Sequence, residues 1–270
     1  MLRLRILTAS ILGCVLLLGL FALEPRWTVL AFGVVLTLGA WEWARFGGLN
    51  RAPARFAYTC AIALLLRLFW QWTGDPLHLL VVLGIACGWW AIAFLWLLLA
   101  PERNQRWLTL ACGVPVLVPT FVSLARLTIA NHGFAPGPAI VLWLVLLVIS
   151  ADIGAYFAGR RFGRRKLAPR VSPGKTWEGV VGGLCAVALT ALSGALYFGL
   201  PALACVAFGC VVGIFSVVGD LTESMFKRSA GLKDSGALLP GHGGLLDRID
   251  SVTAAAPIYA LGLFGSGVVA

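Results

Sequence analysis

The feature that most constrains this chain is a series of apolar runs, each about as long as a membrane is thick. A helix needs roughly 20 apolar residues to cross the hydrocarbon core. Only 12% of the 270 residues are charged, whereas about one quarter are charged in soluble domains. The sequence therefore predicts an integral membrane protein. Its nine predicted transmembrane helices lie at about 5–23, 27–46, 54–70, 78–100, 107–127, 139–158, 178–199, 201–219 and 251–269.

The connections between these runs are too short to form a soluble core, so we expect an all-α polytopic protein with a single membrane domain over residues 1–270. Arg3 and Arg5 precede the first run, as in a signal peptide. That run lacks a small-x-small cleavage site and a second run follows at once, so we interpret it as a helix. The third run is short and contains Arg67.

The distribution of basic residues predicts the orientation. If the N-terminus is cytoplasmic, all of the 21 Lys and Arg residues except Arg26, Arg67 and Arg126 fall on the cytoplasmic side, as the positive-inside rule requires. The C-terminus would then be external. The net charge of +10 could suit nucleic acid, but the chain has no basic domain, RNA-binding motif or zinc-finger spacing, so nucleic acid is not an expected partner.

The carboxylates are distributed unevenly along the chain. Seven of the 11 follow residue 150, on or near the cytoplasmic side of helices six to nine. We therefore interpret residues 1–138 mainly as scaffold helices and residues 139–270 as the helices that carry the site. Glu42 belongs to the scaffold half, where it is expected to pair with Arg45 or to cap the inner end of helix two, with no chemical role.

Dense charge between two apolar segments marks the stretch from Asp220 to Asp250. On a helix, the spacing i, i+3, i+4, i+7 would place four side chains on one face: Asp220, Glu223, Ser224 and Lys227. Asp247 and Asp250 repeat the i, i+3 spacing, and a glycine-rich loop around His242 lies between the two groups. Carboxylates favour the binding of hard metal ions, and the cations among them favour the binding of phosphate groups. The alternative is a solvated loop with ion pairs.

This stretch resembles the signature of the phosphatidate cytidylyltransferases, also called CDP-diacylglycerol synthases. The resemblance extends from Ser224 to Asp250 and includes many charged and glycine positions, which makes it specific. The matching positions are Ser224, Lys227, Arg228, Lys233, Asp234, Pro240, His242, Gly243, Gly244, Asp247, Arg248 and Asp250.

A second polar segment, Ser172-Pro-Gly-Lys-Thr176, precedes helix seven. Gly-Lys-Thr suggests a P-loop, but Pro169 stands where a Walker A motif needs glycine, and no strand is expected before it. Ser172, Lys175 and Thr176 at a helix start are suited to phosphate binding, and the segment resembles the family's second characteristic motif. Gly182 and Gly183 follow and would allow close helix packing. The basic run 160–166 can equally mark the anionic inner leaflet.

Helix six carries an ionisable residue inside an apolar run, which is a functional-site candidate because its charge is costly in a membrane. Asp152, Tyr156 and Arg160 follow at i, i+4 and i+8 and form one polar stripe towards the cytoplasm. The alternative for Asp152 is a structural pair with a cation on another helix.

The resemblance implies the reaction of CTP with phosphatidate to give CDP-diacylglycerol and diphosphate, at the cytoplasmic face of the inner membrane. It implies Mg²⁺ as cofactor, and the sequence does not distinguish a divalent from a monovalent second ion. The implied metal ligands are Asp220, Asp247, Glu223 and Asp250. The implied catalytic residues are Asp220, Asp247, Lys227, Arg228 and His242. The implied substrate-binding residues are Ser172, Lys175, Thr176, Ser224, Lys233, Arg248, Asp152, Tyr156 and Arg160.

Two other functions remain open. One is a CTP-dependent transferase acting on another lipid phosphate, such as an archaeol-type lipid, or on a polyprenol. The other is a transporter, although transporters place charge near the midplane in two repeated halves, whereas this chain has dissimilar halves and charges at one face. Membrane lipids are expected partners in each case. A homodimer is compatible with this organisation, but the sequence does not select an oligomeric state.

Overall fold

The computed structural model describes residues 2–99, 105–238 and 243–266. Within these ranges the chain folds into nine α-helices, so the predicted all-α organisation is confirmed. The helices are α1 (Leu2–Phe21), α2 (Pro25–Phe46), α3 (Ala52–Trp72), α4 (Pro76–Leu99), α5 (Arg106–Ile129), α6 (Gly137–Phe162), α7 (Trp177–Phe198), α8 (Ala202–Ser229) and α9 (Leu246–Gly265).

Seven of the described helices, α2 to α8, are long and apolar enough to cross a membrane. α1 has the required apolar character over the shorter stretch Ser10–Phe21. α9 carries Asp247, Arg248 and Asp250 near its start. The chain is therefore a multi-pass membrane protein, while full crossing by α1 and α9 stays a prediction.

Helix α5 lies at the centre of the described bundle, since 78% of its most apolar stretch is buried by protein. Two hydrogen bonds attach its neighbours. The Trp43 Nε1–H of α2 donates to the Thr109 carbonyl at 2.7 Å. The Thr120 hydroxyl is shared between the Val116 carbonyl of α5 at 2.6 Å and the Thr253 carbonyl of α9 at 3.0 Å. Polar groups away from water need such internal partners. These contacts hold α2 and α9 on the same helix.

Helices α6 and α7 approach each other closely through small residues. A Cβ atom added to Gly154 would come within 2.6 Å of the Gly182 carbonyl oxygen, and one added to Gly183 within 2.8 Å of the Ala151 carbonyl oxygen. The predicted role of Gly182 and Gly183 in close packing is thus confirmed. This interface fixes the end of α6 against the start of α7.

Helices α8 and α9 extend further into the charged stretch than predicted. α8 continues to Ser229 instead of ending near residue 219, and α9 begins at Leu246 instead of 251. Hydropathy marks where a run becomes polar, but the helical backbone continues until a residue stops it. Residues 220–229 contain no glycine or proline. α8 ends before Gly231, which adopts φ +71°, the conformation that commonly closes a helix.

Two short antiparallel hairpins lie between helices: β1 (Asn131–His132) with β2 (Ala135–Pro136), and β3 (Lys166–Ala168) with β4 (Ser172–Thr176). The prediction that no strand precedes Ser172 is wrong. Lys166 pairs with Thr176, and Ala168 pairs with Ser172. The β3–β4 hairpin therefore presents Lys175 from a paired strand directly before α7.

Candidate active site

Two lysine–aspartate pairs lie where α8 ends and α9 begins. The Lys175 Nζ of β4 lies 2.7 Å from Asp220 Oδ2 of α8, and both side chains are 25% exposed. The Lys227 Nζ of α8 lies 2.6 Å from Asp247 Oδ1 of α9, and both side chains are 8% exposed. Burial of this degree argues against a solvated loop with ion pairs. Asp220 and Asp247, two of the residues predicted to bind a metal ion, are thus each neutralised by a lysine in this structure.

The four side chains predicted on one face of α8 do share that face. The Ser224 hydroxyl donates to Asp220 Oδ1 at 3.3 Å, and Lys227 Nζ lies 3.2 Å from Glu223 Oε1 one turn away. Lys227 therefore bridges Glu223 on its own helix and Asp247 on the next. This arrangement follows from the helical periodicity of residues 220–227, because positions three and four apart are neighbours on a helix.

Asp247 is held in one orientation by several donors. Its Oδ2 accepts from the Ser235 N–H at 2.9 Å and the Gly244 N–H at 2.8 Å, and the Ser235 Oγ lies 3.0 Å away. Gly243 is needed beside it: its φ is +82°, and an added Cβ would lie 2.8 Å from Asp247 Oδ2. Asp247 also lies in the first turn of α9, where a helix stabilises negative charge.

The remaining predicted metal ligands lie in the same region. Asp250 interacts electrostatically with Asp220 and Glu223. Glu223 is 3% exposed, and among the described residues its Oε1 accepts no hydrogen bond of good geometry, even though Lys227 is close. The Lys227 ammonium, 3.2 Å from this oxygen, is the cation that compensates the buried Glu223 carboxylate.

These residues fit a metal ion that is completed by substrate rather than by protein alone. In the described ranges, no three His, Cys, Asp or Glu side chains are grouped closely enough to hold an ion by themselves. Mg²⁺, however, usually binds one or two carboxylates and takes its other ligands from water and phosphate. Asp220 and Asp247, with Glu223 one turn from Asp220 on α8, carry carboxylates of the kind that such an ion binds.

The polar stripe of α6 lies beside this cluster. Asp152 of this stripe interacts electrostatically with Asp220, Lys175 and Arg248. Further along α6, the Arg160 Nη1–H donates to the Tyr156 hydroxyl at 2.9 Å on the exposed surface. The structure therefore brings Asp152 to the cluster, while Tyr156 and Arg160 pair with each other.

The β3–β4 hairpin is attached to the start of α7. The Thr176 side chain accepts from the Gly179 N–H at 3.1 Å and caps the helix. Glu178 accepts from the backbone N–H groups of Arg164 and Arg165, with all three contacts at 3.1–3.2 Å. As an N-cap, Thr176 has a structural function that the sequence analysis did not assign. Its hydroxyl hydrogen is not used by this bond, so its predicted contact with phosphate stays a prediction.

The structure describes three further residues of the predicted site: Arg228, Lys233 and Ser172. Arg228 reaches the Val171 carbonyl of the hairpin and the Leu232 carbonyl, each at 3.4 Å, so it links α8 to the β3–β4 turn. Lys233 is exposed in the connection after α8. Ser172 is partly buried on β4. His242 lies outside the described residues, and its predicted role stays a prediction.

Glu42 is a residue that sequence reasoning missed. It was expected to pair with Arg45 or to cap α2, and the structure instead directs it to the start of α9. Its carboxylate accepts from the N–H groups of Leu245 at 3.0 Å and Leu246 at 2.9 Å, and from the Ser235 hydroxyl at 2.8 Å. The one available signal was a carboxylate near the end of an apolar run, which identifies no partner.

Comparisons with known proteins show the family to which the chain belongs. Proteins named phosphatidate cytidylyltransferase from Pseudomonas aeruginosa and Haemophilus influenzae are 45% and 39% identical to this chain, covering 99% and 96% of it and 98% of each relative. A protein of the same name from Brucella suis is 36% identical, covering 98% of this chain and 93% of that relative. The model of a family described as "Cytidylyltransferase family" matches residues 3–264. This chain therefore belongs to the cytidylyltransferase family.

Proposed function

We infer that this protein is a phosphatidate cytidylyltransferase, which converts CTP and phosphatidate into CDP-diacylglycerol and diphosphate. The observation that carries this function is the 45% identity with the Pseudomonas aeruginosa enzyme over nearly the whole of both chains. The site supports it, because lysines and carboxylates converge at one end of a bundle of membrane-spanning helices. Such a site can meet a water-soluble nucleotide and a membrane lipid together.

The reaction requires charge stabilisation more than proton transfer. A phosphatidate oxygen attacks the α-phosphorus of CTP, a new P–O bond forms, and the bond to the bridging oxygen of the leaving diphosphate breaks. The attacking phosphate is already ionised at neutral pH, so no strong general base is needed. We propose that Lys175, Arg228 and Lys233 neutralise phosphate oxygens, because cations of this kind stabilise charge that builds up during phosphoryl transfer.

We propose that Asp220 and Asp247 bind Mg²⁺, with Glu223 or Asp250 assisting. Bound Mg²⁺ would neutralise charge on the α-phosphate and on the leaving diphosphate. Asp220 would then exchange its present partner Lys175 for the ion, which releases the Lys175 ammonium group towards the triphosphate. Lys227 would stay between Glu223 and Asp247 and keep both carboxylates oriented.

A direct assay tests the function. We expect purified protein in phosphatidate-containing vesicles to convert labelled CTP into labelled CDP-diacylglycerol, with release of one diphosphate per turnover. Parallel reactions with a polyprenol or an archaeol-type lipid phosphate test the alternative transferases. Diphosphate release that is faster with either of these lipids than with phosphatidate would contradict the proposed substrate.

We propose further that the site faces the cytoplasm in the inner membrane, because this orientation gives the cytoplasmic side most of the basic residues. A reporter fused after Lys175 or Lys233 is expected to behave as cytoplasmic, and one fused after His132 or Ala270 as external. As an independent measurement, a cysteine is introduced at each of these positions and its labelling by a membrane-impermeant thiol reagent is measured. A cytoplasmic reporter at Ala270 would contradict the proposed number of crossings.

A further inference from the structure

The carboxylate of Glu42 is built into the candidate site from the half of the chain that the sequence analysis interpreted as scaffold. Glu42 is 1% exposed and Ser235 is fully buried. Arg45, one turn further along α2, donates from Nη1 to the Ser235 carbonyl at 3.1 Å. Helix α2 therefore holds the connection between α8 and α9 at two points.

Ser235 links Glu42 to Asp247. Its Oγ lies 2.8 Å from Glu42 Oε2 and 3.0 Å from Asp247 Oδ2. A hydroxyl carries one hydrogen and can donate it to one carboxylate at a time, so the orientation of Ser235 depends on both acids. The surroundings leave little room for other arrangements, because an added Cβ on Gly244 would lie 2.6 Å from Glu42 Oε2.

Glu42 also determines where α9 begins. It accepts the N–H groups of Leu245 and Leu246, which lie at the helix start, where backbone donors have no partner within the helix. Asp247 follows immediately, in the first turn of α9. A displacement of Leu246 would therefore displace the Asp247 carboxylate with it.

We propose that Glu42 and Ser235 are positioning residues, which orient the Asp247 carboxylate for metal binding from outside the ligand set. The proposal rests on the proposed function for its link to catalysis, whereas the orientation of Asp247 can be tested by metal binding alone. Groups that hydrogen-bond to metal ligands typically change metal affinity or activity by about 10- to 100-fold when they are removed.

The test uses Glu42→Gln and Ser235→Ala in the full-length protein in detergent. Binding of Mn²⁺ in the presence of CTP is measured by electron paramagnetic resonance titration, and the Mg²⁺ dependence of turnover is measured separately. We expect each substitution to weaken Mn²⁺ binding by about 10- to 100-fold, while KM for phosphatidate changes less than about twofold. The fold-loss of Mn²⁺ affinity in the double variant should be smaller than the product of the two single fold-losses. Both residues act on the same carboxylate, that of Asp247, so their effects are not independent.

Two control variants separate positioning from stability. Glu24→Gln lies at the other end of α2, where Glu24 pairs with Arg26 on the surface, and should leave Mn²⁺ binding unchanged. Thr120→Val removes the hydrogen bond between α5 and α9 and should lower the melting temperature while Mn²⁺ affinity stays at the wild-type value.

Wild-type Mn²⁺ affinity in Glu42→Gln and Ser235→Ala would overturn the proposal. An equal loss of affinity in Thr120→Val, or a wild-type protein that binds no Mn²⁺, would do the same. If the wild type binds Mn²⁺ with CTP but makes no CDP-diacylglycerol, the proposed function fails while the titration still decides the role of Glu42.

Discussion

Asp220→Asn and Asp247→Asn are each expected to reduce CDP-diacylglycerol formation by about 100- to 1,000-fold, the loss typical when a major charge-stabilising group is removed. Asparagine keeps the size of each side chain but removes the negative charge that would hold Mg²⁺. In Asp247→Asn, Lys227 still has Glu223 at 3.2 Å, so the buried ammonium keeps a partner. Initial rates across a Mg²⁺ titration provide the measurement, with size-exclusion chromatography to confirm folding.

Asp75→Asn is the matched control for these two variants. Asp75 precedes α4 and accepts from the Leu77 N–H at 2.8 Å, and asparagine caps a helix about as well as aspartate. The Asp75→Asn protein should form CDP-diacylglycerol at a rate close to that of the wild type. An Asp220→Asn protein that keeps half of the wild-type activity at every Mg²⁺ concentration would show that the proposed metal site is wrong.

Lys175→Ala is expected to lower kcat/KM for CTP by about 10- to 100-fold, which corresponds to the loss of one charged hydrogen bond. The effect on KM for phosphatidate should be much smaller, because the proposed contact is with the triphosphate. Lys175→Arg should restore activity only partly, since a planar guanidinium does not replace a compact ammonium group. Steady-state kinetics with each substrate varied in turn separates the two constants.

Arg164→Ala and Arg165→Ala are the controls from the same hairpin region. Their backbone N–H groups bind Glu178, and those bonds survive removal of the side chains. We expect mild effects that depend on the anionic lipid content of the vesicles, because these arginines are interpreted as leaflet charges. Equal losses in all three alanine variants at every CTP concentration would contradict the separate role given to Lys175.

Local patterns in the sequence were sufficient for much of the fold. The apolar runs predict the nine helices that the described residues form, since a membrane-spanning backbone must satisfy its hydrogen bonds within each helix. The i, i+3, i+4, i+7 spacing predicts the shared face of Asp220 and Lys227, because helical periodicity is a property of neighbouring residues. The boundaries of α8 and α9 were less accurate, since hydropathy reports solvent preference and not backbone conformation.

Only the tertiary structure decided which charges meet. Lys175 faces Asp220 because the β3–β4 hairpin and α8 lie side by side, and the hairpin depends on pairing that the short polar segment does not reveal. Glu42 reaches Ser235 across 193 positions of the chain. By itself, the sequence determined the membrane fold, the helical faces and the residues that resemble the family signature. Contacts between distant segments depend on how the helices pack on α5, and no local periodicity encodes that packing.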